Sequence, residues 1–97
     1  MPRDLRRTHN RELFRSVNDR IADVAAHLFS VAPDVQTFIC ECGREGCTDQ
    51  VEAPIEVYAR IRETAGAYLV RAGHEDPSET VVFGHGDYRM VIADWGA

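Results

Sequence analysis

Lysine is absent from this 97-residue chain; its eleven basic side chains are all arginine. With alanine also prominent, this points to GC-rich coding and carries no mechanistic meaning. No stretch approaches the run of about 20 apolar residues that a membrane helix needs. The arginines near the start are followed by no apolar signal-like segment, so the reading is a cytoplasmic protein with no membrane role. Cysteine is scarce as well: there are three, an odd number, all between positions 40 and 47. A framework of disulfides tying distant segments together is therefore excluded. No G-x-S-x-G elbow, phosphate-cradling glycine loop or H-E-x-x-H helix occurs, so no familiar catalytic apparatus is in view. Repeats, low-complexity tracts and linker-like stretches are missing too. The expectation is one domain over residues 1–97, with residues 1–8 mobile. A chain of this size can bury a core unaided, but a stability of roughly 5–15 kcal/mol leaves little margin, which a metal would widen.

The formal charge is −5 and unevenly spread. Residues 1–20 carry Arg3, Arg6, Arg7, Arg11, Arg15 and Arg20 against Asp4, Glu12 and Asp19, so that end is +3 and the rest is −8. An acidic body disfavours general nucleic-acid binding, whereas the arginine-rich end offers a local contact to phosphate or to an acidic protein surface. Arg3, Arg6, Arg7, Arg11 and Arg15 form a stripe at the start of the first helix. An ordinary charged face with a mobile tail is the simpler reading.

From Asn10 to Ser30, Leu13, Phe14, Val17, Ile21, Val24 and Leu28 recur at helical spacing between charged residues. This predicts one long amphipathic helix, capped by Thr8 or Asn10 and closed by Ala32-Pro33. Val35 to Cys40 reads as a strand, the cysteine cluster as a tight turn, and Asp49 to Ala53 as the returning strand. Pro54 suits the first position of a second helix with Ile55, Tyr58 and Ile61 on its apolar face, Tyr58 in the core, and Gly66 as its stop. Ala67 to Val70, Thr80 to Phe83 and Tyr88 to Ala93 read as strands, the last two joined through Gly84-His85-Gly86-Asp87. The fold class is α+β: a long N-terminal helix, a zinc-knuckle hairpin, a short second helix and about three strands in a small antiparallel sheet.

The chemistry concentrates in Cys40-Glu41-Cys42-Gly43-Arg44-Glu45-Gly46-Cys47, a C-x-C-x4-C pattern. Zinc favours thiolate and imidazole ligands in a tetrahedron, and the two glycines let the backbone curl so that its amides face the sulfurs. A buried structural cysteine would explain one of the three, not all. A redox pair is the other rival, although the C-x-x-C spacing of thioredoxin-like sites is absent. Iron–sulfur centres generally use four cysteines at other spacings. For the fourth ligand His74, after Gly73 and a predicted strand, is favoured over His85 in a hairpin turn. His27 and His9 read as helix-surface and N-terminal residues; Glu75 or water remain alternatives. Glu41, Glu45, Glu75 and Asp76 gather near the site, where paired carboxylates can do acid–base work, but they read as solvated charges. Thiolate-rich shells weaken the Lewis acidity of the ion, which favours a structural role. Trp95 reads as an interface anchor or as a lid on the core.

Phe38-Ile39-Cys40-Glu41-Cys42 with Cys47-Thr48, preceded by Leu13-Phe14-Arg15-Ser16-Val17-Asn18-Asp19-Arg20-Ile21 and followed by Gly73-His74-Glu75, resembles a group of small uncharacterised actinobacterial proteins. The resemblance spans most of the chain. It lies in the C-E-C-x4-C-T run, a short helix beginning near Pro54 and a G-H-E loop, in that order. It implies that Cys40, Cys42, Cys47 and His74 act as a unit, and it implies no activity. The functional expectation is a non-enzymatic, zinc-stabilised interaction or regulatory module for another protein. The alternatives are a thiol-based zinc redox sensor and, less favoured, a regulator contacting nucleic acid through the N-terminal arginines.

Overall fold

A computed structural model describes residues 3–28 and 35–93, with side chains described for 5–25 and 35–93. The expected helix stop at Ala32-Pro33, the His27 side chain and Trp95 lie outside these residues. In chain order the elements are α1 (Arg3–Leu28), β1 (Val35–Ile39), β2 (Gln50–Pro54), α2 (Ile55–Glu63), β3 (Ala67–Arg71), β4 (Glu79–His85) and β5 (Tyr88–Ala93). The fold is α+β. β1 and β2 form an antiparallel hairpin, and β3, β5 and β4 form a separate antiparallel sheet with β5 in the middle.

Two expectations about α1 need correction. The helix begins at Arg3, so Thr8 and Asn10 lie inside it rather than capping it. Its buried face also takes in only part of the expected apolar set: Ile21 packs against the core and Phe14 is half-buried. Leu13, Val17 and Val24 are 53%, 37% and 42% exposed, while Arg11, Asn18, Ala22 and Ala25 are buried. Positions 11, 15, 18, 22 and 25 share a helix face, and specific polar partners hold that face inward. Asn18 mimics a strand: its Nδ2 donates to the Ile39 carbonyl (2.8 Å) and its Oδ1 accepts from the Ile39 N–H (2.9 Å). The alanines one turn further on let α1 sit close to the hairpin.

α2 follows Pro54, which takes the N-cap position in extended conformation rather than the first helical turn. Tyr58 and Ile61 are buried from it, and Tyr58 stacks on Phe38 of β1 with ring centroids 4.5 Å apart. These rings and Val51, Ala53, Ala67, Leu69, Val70 and Val91 form the core where hairpin, α2 and β3 meet. Gly66, at φ +74°, turns the chain into β3. Arg15 reaches across from α1 to the carbonyls of Ile61, Arg62 and Ala67 (3.0–3.3 Å). A cation thus meets the Ile61 and Arg62 carbonyls at the C-terminal end of α2, where the helix dipole favours positive charge, and the first carbonyl of β3.

The strongest link between α1 and the three-stranded sheet is ionic. Arg11 and Glu79 both have side chains with no solvent exposure, and Arg11 Nη1 lies 2.7 Å from Glu79 Oε1 with Nη2 3.4 Å from Oε2. The same guanidinium sits 4.2 Å from the Tyr68 ring centroid, and the Tyr68 hydroxyl donates to Glu12. Arg7 adds bonds to Asp76 Oδ2 (2.6 Å), the Cys42 carbonyl (3.0 Å) and Glu79 Oε1 (3.5 Å). Three arginines of the stripe expected on the surface, Arg7, Arg11 and Arg15, therefore turn inward. A buried charge that loses its partner costs about 3–5 kcal/mol. Arg11→Met is expected to lower the urea-unfolding free energy by an amount in that range, and adding Glu79→Gln should restore much of it. A loss below about 1 kcal/mol, the size of an exposed pair, would show that the pair is not buried in solution.

Candidate metal centre

The knuckle is built from the ends of three strands. Beyond β1 the Cys40 N–H donates to the Asp49 carbonyl (2.8 Å), extending the hairpin by one rung, and the Glu41 N–H then crosses to the Leu69 carbonyl of β3 (2.7 Å). Side chains along extended chain point alternately to opposite sides. Cys40 and Cys42 therefore face one way and Glu41 the other. Gly43 and Gly46, at φ +76° and +81°, make the turn that returns Cys47. Gly43 is constrained twice, because a Cβ there would come within 2.4 Å of Arg11 Cγ and 2.6 Å of the Arg7 carbonyl oxygen. Only glycine accepts both that backbone and that proximity to α1.

His74 arrives from the turn after β3, where its N–H donates to the Arg71 carbonyl (2.9 Å) and Gly73 has φ +93°. The sulfurs of Cys40, Cys42 and Cys47 and a ring nitrogen of His74 all lie within 4.8 Å of one another and could hold a metal ion. His74 Nδ1 is 3.6 Å from both Cys40 Sγ and Cys47 Sγ. On the far side of the ring Nε2 lies 3.4 Å from Asp49 Oδ2. A proton on Nε2 facing this carboxylate leaves the Nδ1 lone pair toward the thiols, the arrangement usual around metal-bound histidine.

Backbone amides face the sulfurs. The Arg71 N–H donates to Cys40 Sγ at 3.3 Å, and the amides of Cys42, Arg44 and Asp49 serve Cys40, Cys42 and Cys47 respectively. Such donors favour thiolate over thiol. Cys42 is held well below the usual thiol range, chiefly by its bond with Cys40 and further by the Arg44 amide and His74. Cys40 is pushed up by the same bond and by burial. Burial also raises Cys47.

Glu41 occupies the opposite side of the strand and overturns its reading as a solvated charge. It is fully buried. Its Oε2 accepts from Asn18 Nδ2 (2.7 Å) and the Tyr58 hydroxyl (3.1 Å), and its Oε1 from the Leu69 N–H (2.9 Å). Burial raises its pKa to about 7 against the pull of these donors and of Arg15. The other carboxylates do separate work: Glu45 is exposed, Glu75 accepts from the Gly73 N–H, and Asp76 binds Arg7 and Ser78. His85 ends β4, exposed and outside the cluster, and His9 is exposed on α1. Two residues of the site had no sequence signal: Asp49, which reads simply as the start of a strand, and Asn18, one polar residue within a helical pattern.

No family model, curated protein or solved structure matches the chain, so chemistry rests on the geometry alone. Removing the carboxylate behind a metal-bound histidine typically weakens metal binding about 10–100-fold. Asp49→Ala is expected to show a loss of that order in competition with a chromophoric chelator, without unfolding the chain. Affinity equal to that of the unaltered protein would mean that Asp49 does not orient His74.

Proposed function

We propose that Cys40, Cys42, Cys47 and His74 hold a structural zinc ion, and that the domain is a non-enzymatic, zinc-stabilised module recognising another protein in the cytoplasm. The observation that carries this is the pair of 3.6 Å separations from His74 Nδ1 to Cys40 Sγ and Cys47 Sγ. A tetrahedral zinc with Zn–S of about 2.3 Å and Zn–N of about 2.0–2.1 Å places sulfur and nitrogen roughly 3.5 Å apart. Four protein ligands leave no open position for water, and three thiolates neutralise the charge a hydrolytic zinc would use. Burial of Cys40 and Cys42 fits an ion that closes a core. Recognition of a partner is supported by the exposed Leu13, Val17 and Val24 along α1, since apolar surface gathered on one face marks interaction sites.

One observation favours the redox reading as second choice: Cys47 is partly exposed, so peroxide could reach one sulfur, and two thiolates oxidised to a disulfide would release the ion. Elemental mass spectrometry of untagged protein should find one zinc per chain, lost on Cys42→Ser. Metal-free protein after purification without chelator or oxidant would overturn the proposal. Zinc released by stoichiometric peroxide, and retaken after reduction, would move the conclusion to the redox reading.

A further inference from the structure

The two loops that carry Cys42, Cys47 and His74 have almost no apolar packing of their own. Of residues 43–49, all described, only Cys47 packs against the apolar core, and of residues 72–78 none does. Both loops instead touch the start of α1. Arg7 Nε donates to the Cys42 carbonyl (3.0 Å) and Asn10 Nδ2 to the Gly43 carbonyl (3.4 Å), the two carbonyls that directly follow the Cys42 side chain. Arg7 Nη1 donates to Asp76 Oδ2 (2.6 Å), two positions beyond His74. Gly43 lies so near the helix that an added Cβ would meet the Arg7 carbonyl oxygen at 2.6 Å. From Arg11 onward α1 is held by other parts of the body: Arg11 by Glu79 of β4, Arg15 by the end of α2 and Asn18 by Ile39 of β1. Arg7 Nη2 also reaches across this division to Glu79 Oε1, at 3.5 Å the longest bond among these.

We infer that residues 3–10, the first two turns of α1, are a metal-gated segment, docked while Cys40, Cys42, Cys47 and His74 hold their ion and released when it leaves. Arg11 is the point beyond which the helix stays in place. The inference concerns regulation of the proposed zinc centre and rests on that reading. An ion shared by both loops fixes them relative to each other, and so sets the Cys42 and Gly43 carbonyls and the Asp76 carboxylate at the spacing that Arg7 and Asn10 require. Without the ion, a turn with Gly43 and Gly46 at positive φ and little packing has nothing to keep those acceptors together. Most helical stability in proteins comes from tertiary contacts, so a helix end that loses these bonds opens at small cost. The released segment carries Arg3, Arg6 and Arg7 against Asp4, a net +2, which makes the basic end of the chain the part that reports on the metal. By reciprocity, a docked helix start tightens metal binding, and Arg7 is a positioning residue for the centre without touching the ion.

Amide-resolved hydrogen exchange by NMR on the full chain, zinc-loaded and then stripped by a chelator under reductant, tests this. The first four N–H groups of a helix have no intrahelical partner, so the amides of residues 7–11 carry the signal. Their protection should fall at least about tenfold on stripping, while that of residues 15–25 stays within about threefold. Unchanged protection at residues 7–11, or an equal loss along all of α1, would overturn the inference. Arg7→Gln should weaken zinc binding at least about fivefold in competition with a chromophoric chelator, the low end of usual coupling between sites. Arg20→Ala, exposed on the same helix, should leave it unchanged. An affinity of Arg7→Gln equal to that of the parent would likewise overturn the inference. Zinc content measured on the same samples separates the two levels. Zinc-loaded chain whose helix start ignores stripping overturns the gating alone, whereas chain purified without zinc overturns the module reading and the gating with it.

Discussion

The alternation of Cys40, Glu41 and Cys42 along one extended stretch is the constraint on which the rest of the domain depends. Two thiols emerge on one side and a carboxylate on the other, so the same three residues serve the candidate metal centre and the polar heart of the core. Glu41 collects Asn18 from α1, Tyr58 from α2 and the Leu69 amide from β3. Its backbone N–H joins the hairpin to β3. A buried carboxylate is costly unless its oxygens are satisfied, and here every donor comes from a different element. Any rearrangement of the three would leave it unpaired, which makes Glu41 a device for specifying one packing more than for adding stability. The metal would act on the other side of the same strand, fixing Cys40 and Cys42 from the loop side and drawing in Cys47 and His74.

The arginines extend the same logic. Arg7, Arg11 and Arg15, four residues apart, lie on one face of α1: Arg7 reaches the knuckle carbonyl, Asp76 and Glu79, Arg11 reaches Glu79 at the start of β4, and Arg15 reaches the C-terminal end of α2. Helix α1 is therefore docked by charge-assisted hydrogen bonds and small alanines. Of its larger apolar residues Ile21 packs against the core and Phe14 is half-buried, whereas Leu13, Val17 and Val24 remain on the outside. Such docking is directional, because a guanidinium fork satisfies its acceptors at only one orientation.

Much of this architecture was legible in the sequence. β5 spans the residues its alternation predicts, β3 and the hairpin strands differ by a residue, and α2 begins just after Pro54 but ends at Glu63, with Thr64 rather than Gly66 as its cap. The cysteine spacing pointed to a cluster, and Gly73-His74 to the loop that approaches it. What could not be read was which face of α1 is buried. Apolar periodicity assumes that the core side is the apolar side, and in this helix the partners that shift it, Glu79, Asp76 and the Ile39 backbone, are 20 to 70 positions away. The same separation hid the role of Glu41: beside two cysteines in a glycine-rich loop, a glutamate reads as solvent-exposed, and only the arrival of Asn18, Tyr58 and Leu69 gives it a reason to be buried. Long-range polar pairing leaves no local pattern.

The most direct measurement of the central claim is X-ray absorption at the zinc edge on protein loaded with one equivalent of zinc. The account predicts a first shell of three sulfurs at about 2.3 Å and one nitrogen at about 2.0 Å, with the nitrogen contribution lost or replaced by oxygen in His74→Ala. A shell dominated by oxygen and nitrogen, or one with fewer than three sulfurs, would contradict the assignment of Cys40, Cys42, Cys47 and His74 as one metal centre.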